Sequence, residues 1–164
     1  MDTSQMQRGQ QWLEELLHLS GLPSDVAAEM NSSFAEESCW LTINSTSLTP
    51  EQIQILTGNG GAVLDSIQYL TNAILNLSQD REQQGAFTIE LDGYRLRRYA
   101  ELKDMAEQAA AQVRQTGEEY ELQSLSSAER RQVHTMLKEH EDLETFSRGQ
   151  EPDRRLVIRP LQAD

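Results

Sequence analysis

Two short patterns in this chain of 164 residues have the residue types and spacing to bind an anion. The first is Gly58-Asn59-Gly60-Gly61, set between a short apolar segment and the periodic run from Val63 to Leu77. Glycine has no Cβ, so a Gly-x-x-Gly turn lets backbone N–H groups approach a phosphate closely. A helix starting directly behind it adds unpaired N–H donors and a partial positive charge. Taken alone, the same turn also fits an ordinary loop. The second pattern is Arg130-Arg131-Gln132-Val133-His134. Residues four apart share a helical face, so Arg130 and His134 can address one phosphate or sugar. Arginine supplies a planar fork for phosphate, and histidine donates a hydrogen bond or stacks on a base. The competing reading has His134 packing locally and Arg130 pairing with a nearby glutamate.

Arginines gather in two more places. Arg95, Arg97 and Arg98 stand at the head of the longest expected helix. Cations there oppose the helix dipole, so either a bound anion or ion pairs to the acidic first half must reward them. Arg154, Arg155 and Arg159 flank the last expected strand. Arg155 and Arg159 are an even number of residues apart and face one side of a regular strand. They suit phosphate contacts, although basic residues on an edge strand also deter edge-to-edge pairing.

The formal net charge of −13 runs against a nucleic-acid ligand, whose usual footprint is a basic domain. Its distribution is uneven, however. Residues 1–85 hold eleven acidic and two basic side chains; residues 86–164 hold sixteen and twelve. An anionic ligand must therefore lean on the second half. One cysteine, Cys39, excludes an internal disulfide. No run approaches the roughly 20 apolar residues of a membrane span, and the first residues lack the basic-then-apolar pattern of a signal peptide. These features fit a soluble cytoplasmic protein. No nucleophile elbow, Walker loop or dinucleotide fingerprint is present. The three histidines, His18, His134 and His140, have no metal-ligand spacing. Neither a cofactor nor an enzymatic activity is expected. The aromatic content of 5% argues against a stacking platform of the RRM kind.

The elements that must position these residues follow from periodicity and caps. Trp12, Leu13, Leu16 and Leu17 predict a helix over about 10–19, ended by Gly21 and Pro23. Strands are expected over 25–31 and 39–45, with turns around Asn31-Ser32-Ser33 and Glu36-Glu37-Ser38. Thr49-Pro50 caps a short helix through Leu56. Beyond the glycine turn, Val63, Ile67, Leu70, Ile74 and Leu77 predict the buried stripe of a second helix. A polar loop over 78–85 leads to the alternating strand 87–91. A long helix over 94–115 buries Tyr99, Leu102, Ala106, Ala109 and Val113. Residues 119–122 are extended, Ser126 or Ser127 caps a helix to about 139, and strands follow at 145–147 and 156–158. Trp12 and Trp40 are expected to anchor the first core.

The order of the first half, with Gly-x-x-Gly joining two helices, resembles a type II KH domain (α-β-β-α-α-β). The segment Leu64-Asp65-Ser66-Ile67-Gln68-Tyr69-Leu70 and the later Asp92-Gly93-Tyr94-Arg95 look like the KH region of the bacterial Jag (KhpB) family. In that family a KH domain precedes an R-three-H domain, named for an arginine and a histidine separated by three residues. The run Glu129-Arg130-Arg131-Gln132-Val133-His134 resembles that second domain, as do Glu144-Thr145-Phe146-Ser147 and Arg154-Arg155-Leu156-Val157-Ile158-Arg159-Pro160.

The resemblance implies an α+β chain, with a KH domain over 9–93 and a small α/β R-three-H domain over 94–160. It implies a non-catalytic protein that binds single-stranded RNA, or single-stranded DNA, in post-transcriptional regulation linked to cell elongation and division. KH domains clamp about four nucleotides with this loop, and those of this family pair with a second small KH protein or with a copy of themselves. The expected contacts are Gly58, Asn59, Gly60, Gly61, Arg95, Arg98, Arg130, Arg131, His134, Arg154, Arg155 and Arg159. The chain departs from the family in two respects. Asn59 and Gly60 stand where basic loop residues are usual, which leaves backbone donors without side-chain cations. The chain also starts at its first helix, without the family's small N-terminal domain. A module that keeps the KH fold for protein contacts, with little RNA affinity, is the alternative.

Overall fold

Helix α1 (Thr3–Leu19) starts well before its apolar periodicity does. Asp2 caps it, accepting from the Gln5 backbone N–H at 2.8 Å while the Gln5 side chain accepts from the Asp2 N–H at 3.0 Å. This reciprocal cap needs no apolar residue, so the hydrophobic pattern shows only the later turns. The computed structural model describes residues 1–32, 37–77, 79–80 and 83–161. Ser33 and Glu36 of the expected turns, and Ser78, Arg81 and Glu82 of the expected 78–85 loop, lie outside the described residues. The chain divides into two units, Met1–Arg95 and Leu96–Asp164.

In the first unit, α1 is followed by β1 (Val26–Asn31), β2 (Ser38–Ile43), α2 (Pro50–Thr57), α3 (Ala62–Leu75) and β3 (Phe87–Leu91). The sheet order is β1-β2-β3, with β1 antiparallel and β3 parallel to β2. A parallel pair cannot be closed by a tight hairpin and needs a crossover. Helices α2 and α3 supply it, and the glycine turn joins them. Leu13 and Leu17 of α1 meet Leu41, Ile43, Leu64, Ile89 and Leu91 in one core. Trp12 packs against this core. Trp40 is buried as well, but strand alternation sets it with Thr88 on the sheet face opposite Cys39 and Leu41. It therefore does not anchor that core.

The buried side of α3 corrects the sequence reading. Of the expected stripe only Ile67 is buried, together with Leu64, Thr71 and Leu75. Val63, Leu70, Ile74 and Leu77 are exposed, as are Tyr69 and Ile55. The cause is a ladder of amide side chains on the adjacent face. Gln68 Oε1 accepts from the Ile89 N–H at 3.0 Å. Asn72 bonds both the N–H and the C=O of Phe87, at 2.9 and 2.8 Å. Asn76 does the same for Gly85, at 2.8 Å each. Strand β3 is an edge strand, and its outward backbone groups would otherwise be unpaired. Side chains at four-residue steps meet them, which rotates α3 away from its most apolar stripe.

In the second unit, α4 (Tyr94–Thr116) carries the chain in, followed by β4 (Tyr120–Leu122), α5 (Ser127–Leu137), β5 (Leu143–Arg148) and β6 (Arg155–Pro160). The sheet order is β4-β6-β5, antiparallel throughout. Leu102, Ala106, Ala109, Ala110 and Val113 of α4 pack with Val133 and Leu137 of α5 and with Leu156 and Ile158 of β6. Ser126 caps α5 in a reciprocal box with Glu129. Among the described residues, no helix is long and apolar enough to cross a membrane.

Replacing Asn72 by alanine would leave two backbone groups of Phe87 without partners. At about 1–3 kcal/mol for each fully buried unsatisfied group, and with these two bonds only partly buried, Asn72→Ala is expected to lower unfolding stability by roughly 2 kcal/mol or more. An unfolding free energy from urea titration within about 0.5 kcal/mol of the parent would contradict the ladder.

Candidate nucleic-acid interface

In the first unit the glycine turn has the conformation its sequence demands. Gly58 (φ 72°), Gly60 (φ 60°) and Gly61 (φ 83°) all have positive φ. At Gly58 a Cβ would stand 2.8 Å from the Val63 backbone nitrogen, and at Gly61 it would strike the Tyr94 ring. Around Gly60 there is open space. Asn59 and Gly60 are exposed and Gly61 is buried. No side chain caps α3 at Gly61, and the first N–H of the helix, that of Ala62, donates to the Asn59 carbonyl within the turn. A helix start behind such a turn is chemically suited to a phosphate through its backbone donors.

Arg95 closes the site from behind. Its Nη1 donates to Asp65 Oδ1 at 2.6 Å, Nη2 to Gln68 Oε1 at 3.3 Å and Nε to the Ile89 carbonyl at 3.0 Å. Of the two readings for this cluster, Arg95 takes the ion pair with the acidic first half. It ties α3 to β3 and offsets the one carboxylate in the first turn of α3. Glu90 Oε2 accepts from the Arg95 backbone N–H at 3.0 Å. Its Oε1 is buried without a hydrogen-bond partner among the described residues, and burial pushes the Glu90 pKa up. Arg98 bonds Glu129 at 2.6 Å and Glu101 at 2.8 Å within the second unit.

In the second unit Arg130 and His134 do share one face of α5, as their spacing requires. Arg130 is only 5% exposed, however. Its Nη1 donates to the carbonyls of Leu125 at 2.7 Å and Arg154 at 3.1 Å, and its Nη2 pairs with Glu151. The arginine expected at the surface thus lies inside, where it pins the β5–β6 turn from behind. A buried guanidinium costs free energy unless its donors are bonded, and the carbonyls and the glutamate provide for that. His134 Nδ1 bonds the Thr145 hydroxyl of β5 and remains half-buried. Arg131 is exposed.

Of the basic residues at the surface, Arg148, Arg154, Arg155 and Arg159 lie on the β5–β6 hairpin. Arg155 and Arg159 share a face of β6, and each meets a carboxylate: Arg155 with Glu121 at 2.8 Å, Arg159 with Glu144 at 2.5 Å. The exposed Arg154 side chain makes no hydrogen bond or ion pair among the described residues. Sequence reasoning missed Arg148, which bonds Glu119 at 2.7 and 2.9 Å and Glu121 at 2.8 Å. The Arg148 bonds hold the Glu119 carboxyl pKa below the usual range, and the bonds from Arg155 and then Arg148 do the same for Glu121. Register was the available signal, since Arg148 pairs with Arg155 across the hairpin. His140 bonds Arg114 at 3.0 Å. Arg114 in turn holds the Asp142 pKa down to about 2. No cluster of metal-binding side chains occurs among the described residues.

Residues 100–160 match the R-three-H domain family. The chain is 28% identical over 148 residues to the RNA-binding protein KhpB of Clostridium symbiosum, covering 90% of this chain and 63% of that protein. It is 29% identical over 137 residues to the RNA-binding protein KhpB of Lactiplantibacillus plantarum, covering 81% and 39%. With the RNA-binding protein KhpB of Bacillus subtilis it shares 30% over 113 residues, covering 68% and 53%. The chain therefore spans less than two thirds of the length of each of these relatives.

The loop predicts a contrast between two neighbouring glycines. Gly60→Ala should cost about 1 kcal/mol, from left-handed backbone alone. Gly61→Ala adds a collision with the Tyr94 ring and should cost more than about 2 kcal/mol. Equal losses in thermal or urea unfolding would show that Tyr94 does not hold the turn.

Proposed function

From a chain that carries an R-three-H domain and is a relative of the KhpB (Jag) proteins, we propose a cytoplasmic, non-catalytic protein that binds single-stranded RNA in post-transcriptional regulation. Residues 9–93 act as a type II KH domain and residues 94–160 as the R-three-H domain. The observation that carries the reading is the N-terminus of α3, left without a side-chain cap behind a turn with three positive-φ glycines. That helix end is suited to seat a phosphate. The arginine-rich hairpin of the second unit supplies the cations that Asn59 and Gly60 lack.

The division of labour follows from charge. Backbone donors orient a phosphate but add little long-range attraction, whereas each cation that neutralises a phosphate releases counterions. Arg154, Arg155 and Arg159 provide affinity, and Gly58 to Gly61 fix direction. Arg130 contributes by holding the hairpin in place, and His134 by its bond to Thr145. Arg95 and Arg98 are engaged by carboxylates and act mainly as supports.

Binding of single-stranded RNA followed by anisotropy across salt concentrations tests this reading. Affinity should fall with salt, and Arg154→Ala should reduce the log–log slope by about 0.7, the value for one phosphate on a single strand. The pair Asn59→Asp with Gly60→Asp should weaken binding by repelling the phosphate at the turn. Undetectable binding at low salt would end the proposal. Undiminished binding by the loop pair would reduce the first unit to a scaffold.

A specific observation favours a second role beside the first. Val63, Leu70, Ile74 and Leu77 form an exposed apolar stripe along α3 and just beyond its end, and such stripes mark docking faces. The occupant that fits is a second small KH protein, because two copies of this chain would bring together first halves that each carry nine excess negative charges. Leu70→Asp with Ile74→Asp should abolish binding to such a protein in calorimetry while leaving the RNA salt slope intact. A dimer of the parent alone in light scattering would name a second copy as the occupant instead.

A further inference from the structure

We propose that the charged face of the second unit's sheet carries a base-stacking site centred on Phe146, and that Glu119, Glu121 and Glu144 compete with RNA for the arginines around it. The inference rests on the RNA-binding reading above and adds a residue, a contact type and a built-in competitor to it.

Register brings the site together. Phe146 of β5 pairs with Val157 of β6, Arg148 with Arg155, and Glu144 with Arg159. Alternation then places Phe146, Arg148, Arg155 and Arg159 on one face. The Arg148 guanidinium carbon lies 5.3 Å from the Phe146 ring centroid and that of Arg159 lies 5.1 Å away. Both are within cation–π range. Phe146 is half-buried and stands outside the apolar core of its unit. A ring beside guanidinium planes is a surface on which an unpaired base stacks, because every base offers a π face. One aromatic suffices for this, so the low aromatic content of the chain does not exclude it.

The carboxylates supply the second half of the argument. Arg148, Arg155 and Arg159 all meet glutamates. Phosphate and carboxylate offer an arginine the same forked geometry, so an RNA backbone can take the place of Glu121 or Glu144. The glutamates are thus internal competitors that thin the charge on this face until RNA arrives.

The bland alternative is that Phe146 only covers Val157. Binding of the full chain to a short oligouridine and to an abasic strand of the same length separates the two. Phe146→Leu keeps apolar cover and should lose roughly tenfold in affinity for the oligouridine, with no change for the abasic strand. Phe146→Tyr should restore the difference. Glu121→Gln should tighten both strands about two- to fivefold at low salt and steepen the salt dependence. Parent-like binding of both strands by Phe146→Leu would overturn the stacking site while leaving RNA binding in place. Unchanged affinity in Glu121→Gln would overturn the competition. If the parent binds neither strand at low salt, the RNA-binding reading fails and this inference falls with it. Circular dichroism of each variant confirms that the fold is retained.

Discussion

The first unit depends on how the edge strand β3 finds partners for its outward backbone groups. Gln68, Asn72 and Asn76 meet that demand from one side of α3, one turn apart. Because the ladder has fixed spacing, it sets both the rotation and the axial position of α3. The start of α3 is then fixed, and with it the place of the glycine turn that must join α2 to it. Arg95 extends the same ladder by one rung, donating to the Ile89 carbonyl and to Gln68. The glycine turn is therefore positioned by polar contacts with the strand as much as by the core beneath.

In the second unit a single buried cation has the corresponding task. Arg130 reaches the carbonyls of Leu125, just before α5, and Arg154, at the end of the β5–β6 turn. Both carbonyls lie in irregular backbone, where no ladder would satisfy them. Fixing the turn fixes the register of Arg148 against Arg155, and hence which arginines stand around Phe146. A residue whose type suggests a ligand contact thus acts one layer below the surface. The distinction has consequences for mutagenesis, since loss of Arg130 disturbs the whole hairpin rather than one contact.

Much of this was legible in the sequence, and for identifiable reasons. Caps carry their own chemistry, so Thr49-Pro50 and Ser126 announced α2 and α5 correctly. The glycines at 58 and 61 announced a turn because no other residue tolerates that backbone so close to Val63 and Tyr94. The buried face of α3 was misjudged because periodicity ranks side chains by hydropathy, and an amide that serves a strand edge scores as solvent-facing. The early start of α1 was missed for the same reason, its cap being wholly polar. The depth of Arg130 could not be read, because its partners at 125, 151 and 154 are set by the tertiary fold. Phe146 was overlooked because a count of aromatics says nothing about where one of them stands.

The acidity of the chain looks at first like an argument against an anionic ligand. The pairing on the second sheet changes the terms of that argument. An arginine already held by a glutamate needs no reorganisation to meet a phosphate, since the fork is formed and aimed. What binding must supply is only the difference between two similar interactions, and exposed ion pairs are worth about 0–1 kcal/mol each. The cost of exchange is therefore small, but so is the net electrostatic gain. Affinity that rests on such exchange is weak unless a contact of another kind adds to it. Stacking on Phe146 is a contact of that kind. On this account the glutamates suppress adhesion to polyanions that offer charge alone, and the second unit's sheet favours strands that also present an unpaired base.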